Sequence, residues 1–176
     1  FTKFDLIYAG AQKNMGPAGV TLVVIKEEIL GKTGRTIPNI LNYQQHIAKE
    51  SMYNTPPVFA VYTSLLTLQW LKSKGGIAAI EKENEEKATL LYAEIDRNPL
   101  FKGAAHKEDR SIMNATFLLI DEKHKETFDK MWKAAGISGI NGHRSVGGYR
   151  ASMYNALPIE SVKVLVNVMQ ELEKNI

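Results

Sequence analysis

Three short segments hold the side chains whose types and spacing could do chemistry. The first is Ala9-Gly10-Ala11-Gln12-Lys13-Asn14-Met15-Gly16-Pro17, a turn with glycine on both sides of a lysine. A lysine just past a strand has a fixed mounting, and Gly10 and Gly16 would let a ligand approach the backbone closely. Such an amine can form a Schiff base if its pocket is dry or a cationic neighbour lowers its pKa. It can equally be one more surface charge. No G-x-x-x-x-G-K-[ST] phosphate loop occurs. The second segment is Asn54-Thr55-Pro56-Pro57, read as a helix start with Thr55 as the N-cap and proline in the first turn. Helix starts bind phosphate through free N–H groups. Pro56 and Pro57 lack that group, so an anion site here leans on Asn54 and Thr55, unless Thr55 is a cap and nothing more. The third is Gly142-His143-Arg144-Ser145-Val146-Gly147-Gly148-Tyr149-Arg150, the densest polar cluster. Arginine binds carboxylate or phosphate in bidentate fashion. Arg150 on a strand and Arg144 on a loop could serve two anionic groups, or the cluster is a turn with incidental charge. His46, His106 and His124 lack partners at metal-ligand spacing and read as surface or loop residues, so no metal is expected.

The elements that must position these residues follow from periodicity and punctuation. Phe4 to Tyr8 reads as a short strand. Val20 to Ile25 is a nearly continuous β-branched run, which suits a strand buried on both faces of an α/β sheet. Lys26 to Leu30 reads as one helical turn, and residues 31 to 53 as a long loop of the kind that is often functional. A helix from Val58 to Lys72 is apolar almost all round and is expected to be buried. After Gly75-Gly76, a second helix from Ile77 to Asp96 carries Ile77, Ile80, Ala88, Leu91 and Ile95 on one face. Its run of Glu81, Lys82, Glu83, Glu85, Glu86 and Lys87 reads as a solvated face. Beyond it come strands at Asn114 to Asp121, Ile137 to Asn141 and Gly148 to Tyr154. Helices fall at Lys123 to Ala135 and Pro158 to Lys174. The fold class is α/β, with residues 1–75 as one unit and 76–176 as a small α+β unit.

Composition narrows the functions. The 176 residues are 44% hydrophobic and 23% charged, ordinary for a globular protein. There is no cysteine, which removes disulfide, zinc-thiolate and thiol-nucleophile chemistry and fits a cytoplasmic setting. The net charge of +3 comes from 22 basic and 19 acidic residues scattered along the chain, so no nucleic-acid partner is expected. No apolar stretch reaches the roughly 20 residues of a membrane span. The start, Phe1-Thr2-Lys3-Phe4-Asp5, lacks an initiator Met and enters a strand almost at once. The expectation is a downstream piece of a longer protein.

Taken together, the three segments resemble a known family. Ile7 to Asn14 followed by Gly16-Pro17-Ala18-Gly19 is similar to the lysine segment of phosphoserine aminotransferases. Ser51-Met52-Tyr53-Asn54-Thr55-Pro56-Pro57 resembles the family's second motif, and the run from Gly142 to Asn155 its third. All three occur in family order. The resemblance implies a pyridoxal-phosphate enzyme of the aspartate-aminotransferase fold, with residues 1–75 ending the large cofactor-binding domain and 76–176 forming the small C-terminal domain. It implies interconversion of phosphoserine and 2-oxoglutarate with 3-phosphohydroxypyruvate and glutamate, in serine biosynthesis and in some bacteria also pyridoxine biosynthesis.

By the same resemblance, Lys13 is the catalytic Schiff-base lysine, and Gln12 contacts the cofactor phosphate. Asn54 and Thr55 reach the phosphate of the neighbouring subunit's cofactor. Arg150 grips the substrate carboxylate, and His143 and Arg144 approach the substrate phosphate in the neighbouring subunit's site. The implied partners are small-molecule substrates and a second copy in a homodimer that includes a missing N-terminal half. Two other readings stand beside it: another class V-type pyridoxal-phosphate aminotransferase, and a non-catalytic dimerisation fragment.

Overall fold

The computed structural model describes residues 2–142 and 147–176. Two compact units divide the chain, Phe1–Ser73 and Lys74–Ile176.

In the first unit, β1 (Leu6–Ala11) and β2 (Val20–Ile25) form an antiparallel hairpin, in register from Leu6 opposite Ile25 to Ala11 opposite Val20. The first strand starts and ends later than its expected span of Phe4 to Tyr8, so the lysine turn opens directly on its last residue. Asp5 extends the ladder: its carbonyl accepts from the Lys26 N–H at 3.0 Å, and its carboxylate pairs with Lys26 Nζ at 2.8 Å. The helical turn after β2 is a 3-10 turn, Glu27–Ile29. The stretch expected to be loop contains a further 3-10 turn, Asn39–Leu41, and a short helix α1 (Tyr43–Ala48). Asn42 caps α1, its Oδ1 accepting from the Gln44 N–H at 3.0 Å. Helix α2 (Val58–Ser73) completes the unit.

Two expectations about burial fail here. In β2, Leu22 and Val24 are exposed, and in α2 Val58, Tyr62, Leu65 and Leu66 are exposed with Phe59 at 78%. Among the described residues of this unit only Ala11 and Ala60 are buried apolar residues. A hairpin and a helix with no second layer leave most of their apolar faces uncovered. Composition tells which faces seek burial, and burial itself needs surfaces that this unit does not contain.

The second unit has its own core. It comprises α3 (Gly76–Arg97), β3 (Phe101–Gly103), β4 (Asn114–Leu119), α4 (Lys125–Ala134), β5 (Tyr149–Ser152) and α5 (Ile159–Lys174). The sheet order is β3-β4-β5, antiparallel throughout. β4 alternates with period two, turning Ala115, Phe117 and Leu119 inward. Ala88, Leu91 and Ile95 of α3, Phe128 and Trp132 of α4, and Val162, Leu165, Met169 and Leu172 of α5 close over that face at helical spacing. Phe101, Phe117, Phe128 and Tyr149 form the aromatic centre, with ring centroids 5.0 to 5.8 Å apart.

Three local readings need correction in this unit. The strand expected at Ile137 to Asn141 is reduced to one bridge, Asn141 opposite Tyr149, because Gly139 has φ +71° and breaks the extended run. β3 is an additional strand of three residues. Lys87 is not on a solvated face: it is 2% exposed and falls on the buried stripe with Ile80, Asn84 and Leu91.

Candidate active site

Gln12 and Lys13 follow the buried Ala11 directly, and both are exposed. The turn that carries them is seated on α2. Gly16 has φ +140°, and a Cβ there would lie 2.7 Å from Ser64 Oγ and 3.1 Å from Ser64 Cα. Gly19 has φ +126°, and its Cβ would lie 3.1 Å from Ala60 Cβ. Ala60 and Ser64 are four residues apart, hence on one face of the helix. Their small size lets the backbone of the turn lie flat against it, so Gly16 serves helix packing. At Gly10 a Cβ would meet nothing within 4 Å, which leaves the backbone beside the lysine open to approach. The Gly16 N–H, 3.4 Å from the Lys13 carbonyl, closes the turn. The unit by itself does not build the dry pocket that amine chemistry needs.

Asn54 and Thr55 are also exposed, on the segment that leads into α2. Thr55 is not the N-cap. The helix starts at Val58, and the Pro57 carbonyl accepts from the Val61 N–H at 3.0 Å. A residue before proline is pushed out of the helical region, so Pro56 stays outside the helix and the start moves beyond Pro57. The Thr55 hydroxyl is thereby released from a capping role. The approach to this segment is strained: Glu50 and Ser51 have φ of 49° and 68°. The turn is held by the Ser51 N–H on the His46 carbonyl at 2.8 Å. His46 also places Nε2 2.9 Å from the Ile40 carbonyl and sets its ring edge-on to Tyr53 at 5.4 Å. It organises the loop ahead of Asn54, a role that its isolation from other metal-type ligands did not signal.

In the second unit Arg150 stands on the outward face of β5, opposite Thr116. Its neighbours Tyr149 and Ala151 point into the core. The strand is pinned at its start. The Tyr149 hydroxyl donates to Asp129 Oδ1 at 2.8 Å, and Trp132 Nε1 donates to the same oxygen at 3.0 Å. Burial would raise the Asp129 pKa, but hydrogen bonds from Lys125, Trp132 and Tyr149 hold it below the ordinary value. Burial and the adjacent Asp129 carboxylate push the Tyr149 hydroxyl far above its usual value, so it stays a neutral donor. Gly142 donates its N–H to the Gly148 carbonyl at 2.8 Å. Gly148, at φ +64°, leaves no room for a Cβ against Leu118. An open depression of about 330 Å³ beside Arg150 is lined by Ala104, Thr116, Leu118, Gly142, Gly147 and Tyr149. His143 and Arg144, the other expected anion ligands, lie outside the described residues. Each unit thus carries part of the expected set: Gln12 and Lys13 on one turn and Asn54 and Thr55 on a separate segment of the first, and Arg150 in the second. The seat formed by Ala60 and Ser64 and the Asp129 network escaped the sequence reading, since neither has a residue pattern of its own.

A lysine on a braced turn and an arginine on a braced strand are parts suited to amino-group chemistry on anionic substrates. The model of the family "Aminotransferase class-V" matches residues 2–165, and the chain belongs to that family. The phosphoserine aminotransferase of Flavobacterium psychrophilum is 76% identical over 176 residues, which is all of this chain and 49% of that protein. A solved phosphoserine aminotransferase, studied for radiation damage of its Schiff base, is 46% identical with a TM-score of 0.90, over 99% of this chain and 49% of that one. A pyridoxal-phosphate-bound phosphoserine aminotransferase from Trichomonas vaginalis is 37% identical with a TM-score of 0.84, over 96% and 48%. The chain spans about half the length of the curated relatives it matches.

Proposed function

We propose that this chain is the lysine-bearing portion of a phosphoserine aminotransferase. The reaction interconverts 3-phosphohydroxypyruvate and glutamate with phosphoserine and 2-oxoglutarate, with pyridoxal 5'-phosphate as cofactor. The observation that carries the reading is the braced lysine: Lys13 sits on a turn that Gly16 and Gly19 lock onto Ser64 and Ala60. That geometry supports it together with the likeness to phosphoserine aminotransferases along the whole chain. The residues present fit the cofactor by their donor chemistry. Lys13 supplies the amine. Gln12, Asn54 and Thr55 supply uncharged donors for a phosphate, and the first turn of α2 has N–H groups at Val58 to Ala60 that lack helical acceptors.

In this reading Lys13 and Gln12 act in one subunit's site, and Asn54 and Thr55 reach the site of the second copy of a homodimer. The first unit belongs to the large cofactor-binding domain and the second to the small domain. The rest of the protein, including its N-terminal half, supplies the walls that make the lysine pocket dry. When bound, the cofactor provides an electron sink for the bond-breaking step. Lys13 Nζ holds the cofactor at rest. With its amine free of the cofactor, Lys13 would serve as the base that moves the proton at the substrate α-carbon. Arg150 holds the α-carboxylate in a bidentate grip. His143 and Arg144 meet the substrate phosphate in the neighbouring subunit's site. The pathway roles are serine biosynthesis and, as a second one, pyridoxine biosynthesis, in the cytoplasm.

The test is borohydride reduction of the complete protein in the presence of cofactor, followed by intact mass and peptide mapping. The expected result is one pyridoxyl mass on Lys13. An unmodified Lys13 would instead favour a scaffold without catalysis.

A further inference from the structure

Lys87 is a cation buried in the second unit, with no carboxylate bonded to it among the described residues. Its ammonium group has three N–H donors. They meet three main-chain carbonyls, of Met153 at 3.3 Å, Tyr154 at 3.0 Å and Leu157 at 3.1 Å. One turn earlier on α3, Asn84 is 1% exposed and donates from Nδ2 to Asn155 Oδ1 at 2.9 Å. Both side chains therefore reach the same segment, residues 153–157, where the chain leaves β5 and turns toward α5. Within that segment only one turn bond is internal, from the Leu157 N–H to the Tyr154 carbonyl at 2.9 Å. Glu83, one turn before Lys87 on α3, is engaged with Lys74 at 2.9 Å. A methionine or leucine would fill the Lys87 position more favourably if packing were its only task, because an uncompensated buried charge is costly. Desolvation does lower the Lys87 pKa. What the cation uniquely supplies is three donors at one point, aimed at carbonyls that no helix or sheet bond uses.

We infer that Lys87, with Asn84, positions Arg150 by fixing where β5 ends. Arg150 lies three residues before Met153. Tyr149 and Gly148 hold β5 at its start; at its exit the Met153 N–H bonds the Met113 carbonyl at 2.7 Å, and the Lys87 contacts hold the carbonyls that follow. With both ends fixed, the guanidinium has one register on the sheet. Lys87 acts through the strand and touches no substrate. The inference rests on the proposed role of Arg150 in binding the α-carboxylate.

The test uses the complete holoenzyme. Lys87→Met is expected to raise KM at least fivefold for both phosphoserine and glutamate, which share the α-carboxylate, with kcat within twofold of wild type. Lys87→Arg, which keeps a cation with several donors, recovers at least half of that change on a logarithmic scale. Hydrogen exchange gives a readout without turnover: amides of residues 150–157 exchange at least tenfold faster in Lys87→Met, while those in the middle of α5 do not change. If Lys87→Met does not fold, Asn84→Ala is read the same way, with KM raised at least twofold and faster exchange at Asn155. A lowered melting temperature with KM and exchange at 150–157 unchanged would overturn the inference. Wild-type protein without turnover or a Lys13 adduct would sink the functional reading instead, and the exchange arm alone would then decide on the brace.

Discussion

Gly16→Ala should loosen the lysine turn from its helix. The new Cβ would lie 2.7 Å from Ser64 Oγ and 3.1 Å from Ser64 Cα. The hydroxyl can move, but the Cα is helix backbone and cannot. Overpacking of this kind costs about 1–3 kcal/mol. A Cβ at a φ of +140° adds roughly 1 kcal/mol of backbone strain. The sum is a loss of about 2–4 kcal/mol in the unit that carries Lys13. The assay is denaturant unfolding of the complete protein for wild type, Gly16→Ala, Ser64→Gly and the double variant. Ser64→Gly alone weakens α2 by about 1 kcal/mol. It removes the side-chain part of the clash and leaves the helix backbone where it was. The cycle should therefore show a favourable coupling of about 1–2 kcal/mol between the two positions. Borohydride labelling of Lys13 should fall in the single variant and recover in part in the double. A Gly16→Ala protein within about 0.5 kcal/mol of wild type, or a coupling near zero, would refute the seating of this turn on Ser64.

Arg150→Lys should raise substrate KM strongly with a smaller effect on kcat, because a point charge cannot reproduce the guanidinium fork; unchanged steady-state kinetics would remove Arg150 from the carboxylate site. Tyr149→Phe removes a buried donor from Asp129 and should cost about 1–2 kcal/mol in equilibrium unfolding, and no loss would mean that Asp129 is satisfied by Trp132 and Lys125 alone. Asp96 is held at about 2 by hydrogen bonds from Arg110, against its partial burial and with help from Lys107. A carboxylate with a lowered folded pKa contributes stability that is present above its unfolded value near 4 and lost as pH falls toward 2. Since Asp96 is partly exposed, that contribution is about 1 kcal/mol. Asp96→Asn should therefore flatten the acid limb between pH 4 and 2, and identical limbs in urea titrations would contradict it.

The sequence is legible where a local cause decides the structure. Val20 to Ile25 is a strand over its full expected span, and α2, α3 and α5 lie within a few residues of their expected limits. Asn42 is a cap with good local chemistry, yet α1 behind it is six residues long and shows no periodicity. The three residues of β3 are set by pairing with β4, which no local pattern announces. The Thr55 reading missed the effect of one proline on the residue before it. The buried state of β2 and α2 was inferred from composition, and composition does not carry the surfaces that would cover them. Lys87 was legible in principle, for its spacing from Ile80, Asn84 and Leu91 puts it on the apolar stripe, but the surrounding charges masked that register. In the candidate site, residue types pointed to amine and anion chemistry. The family resemblance gave the roles, and neither revealed the seat on Ala60 and Ser64.

The uneven distribution of core between the two units has a consequence for how the chain acquires its structure. Lys74–Ile176 owns a continuous apolar interior. The segment before it owns almost none, with Ala11 and Ala60 as its buried apolar residues among those described. Its hairpin and the apolar face of α2 gain stability only against surfaces from outside the segment. The stability of the lysine turn is therefore a property of the complete protein rather than of the segment that carries it.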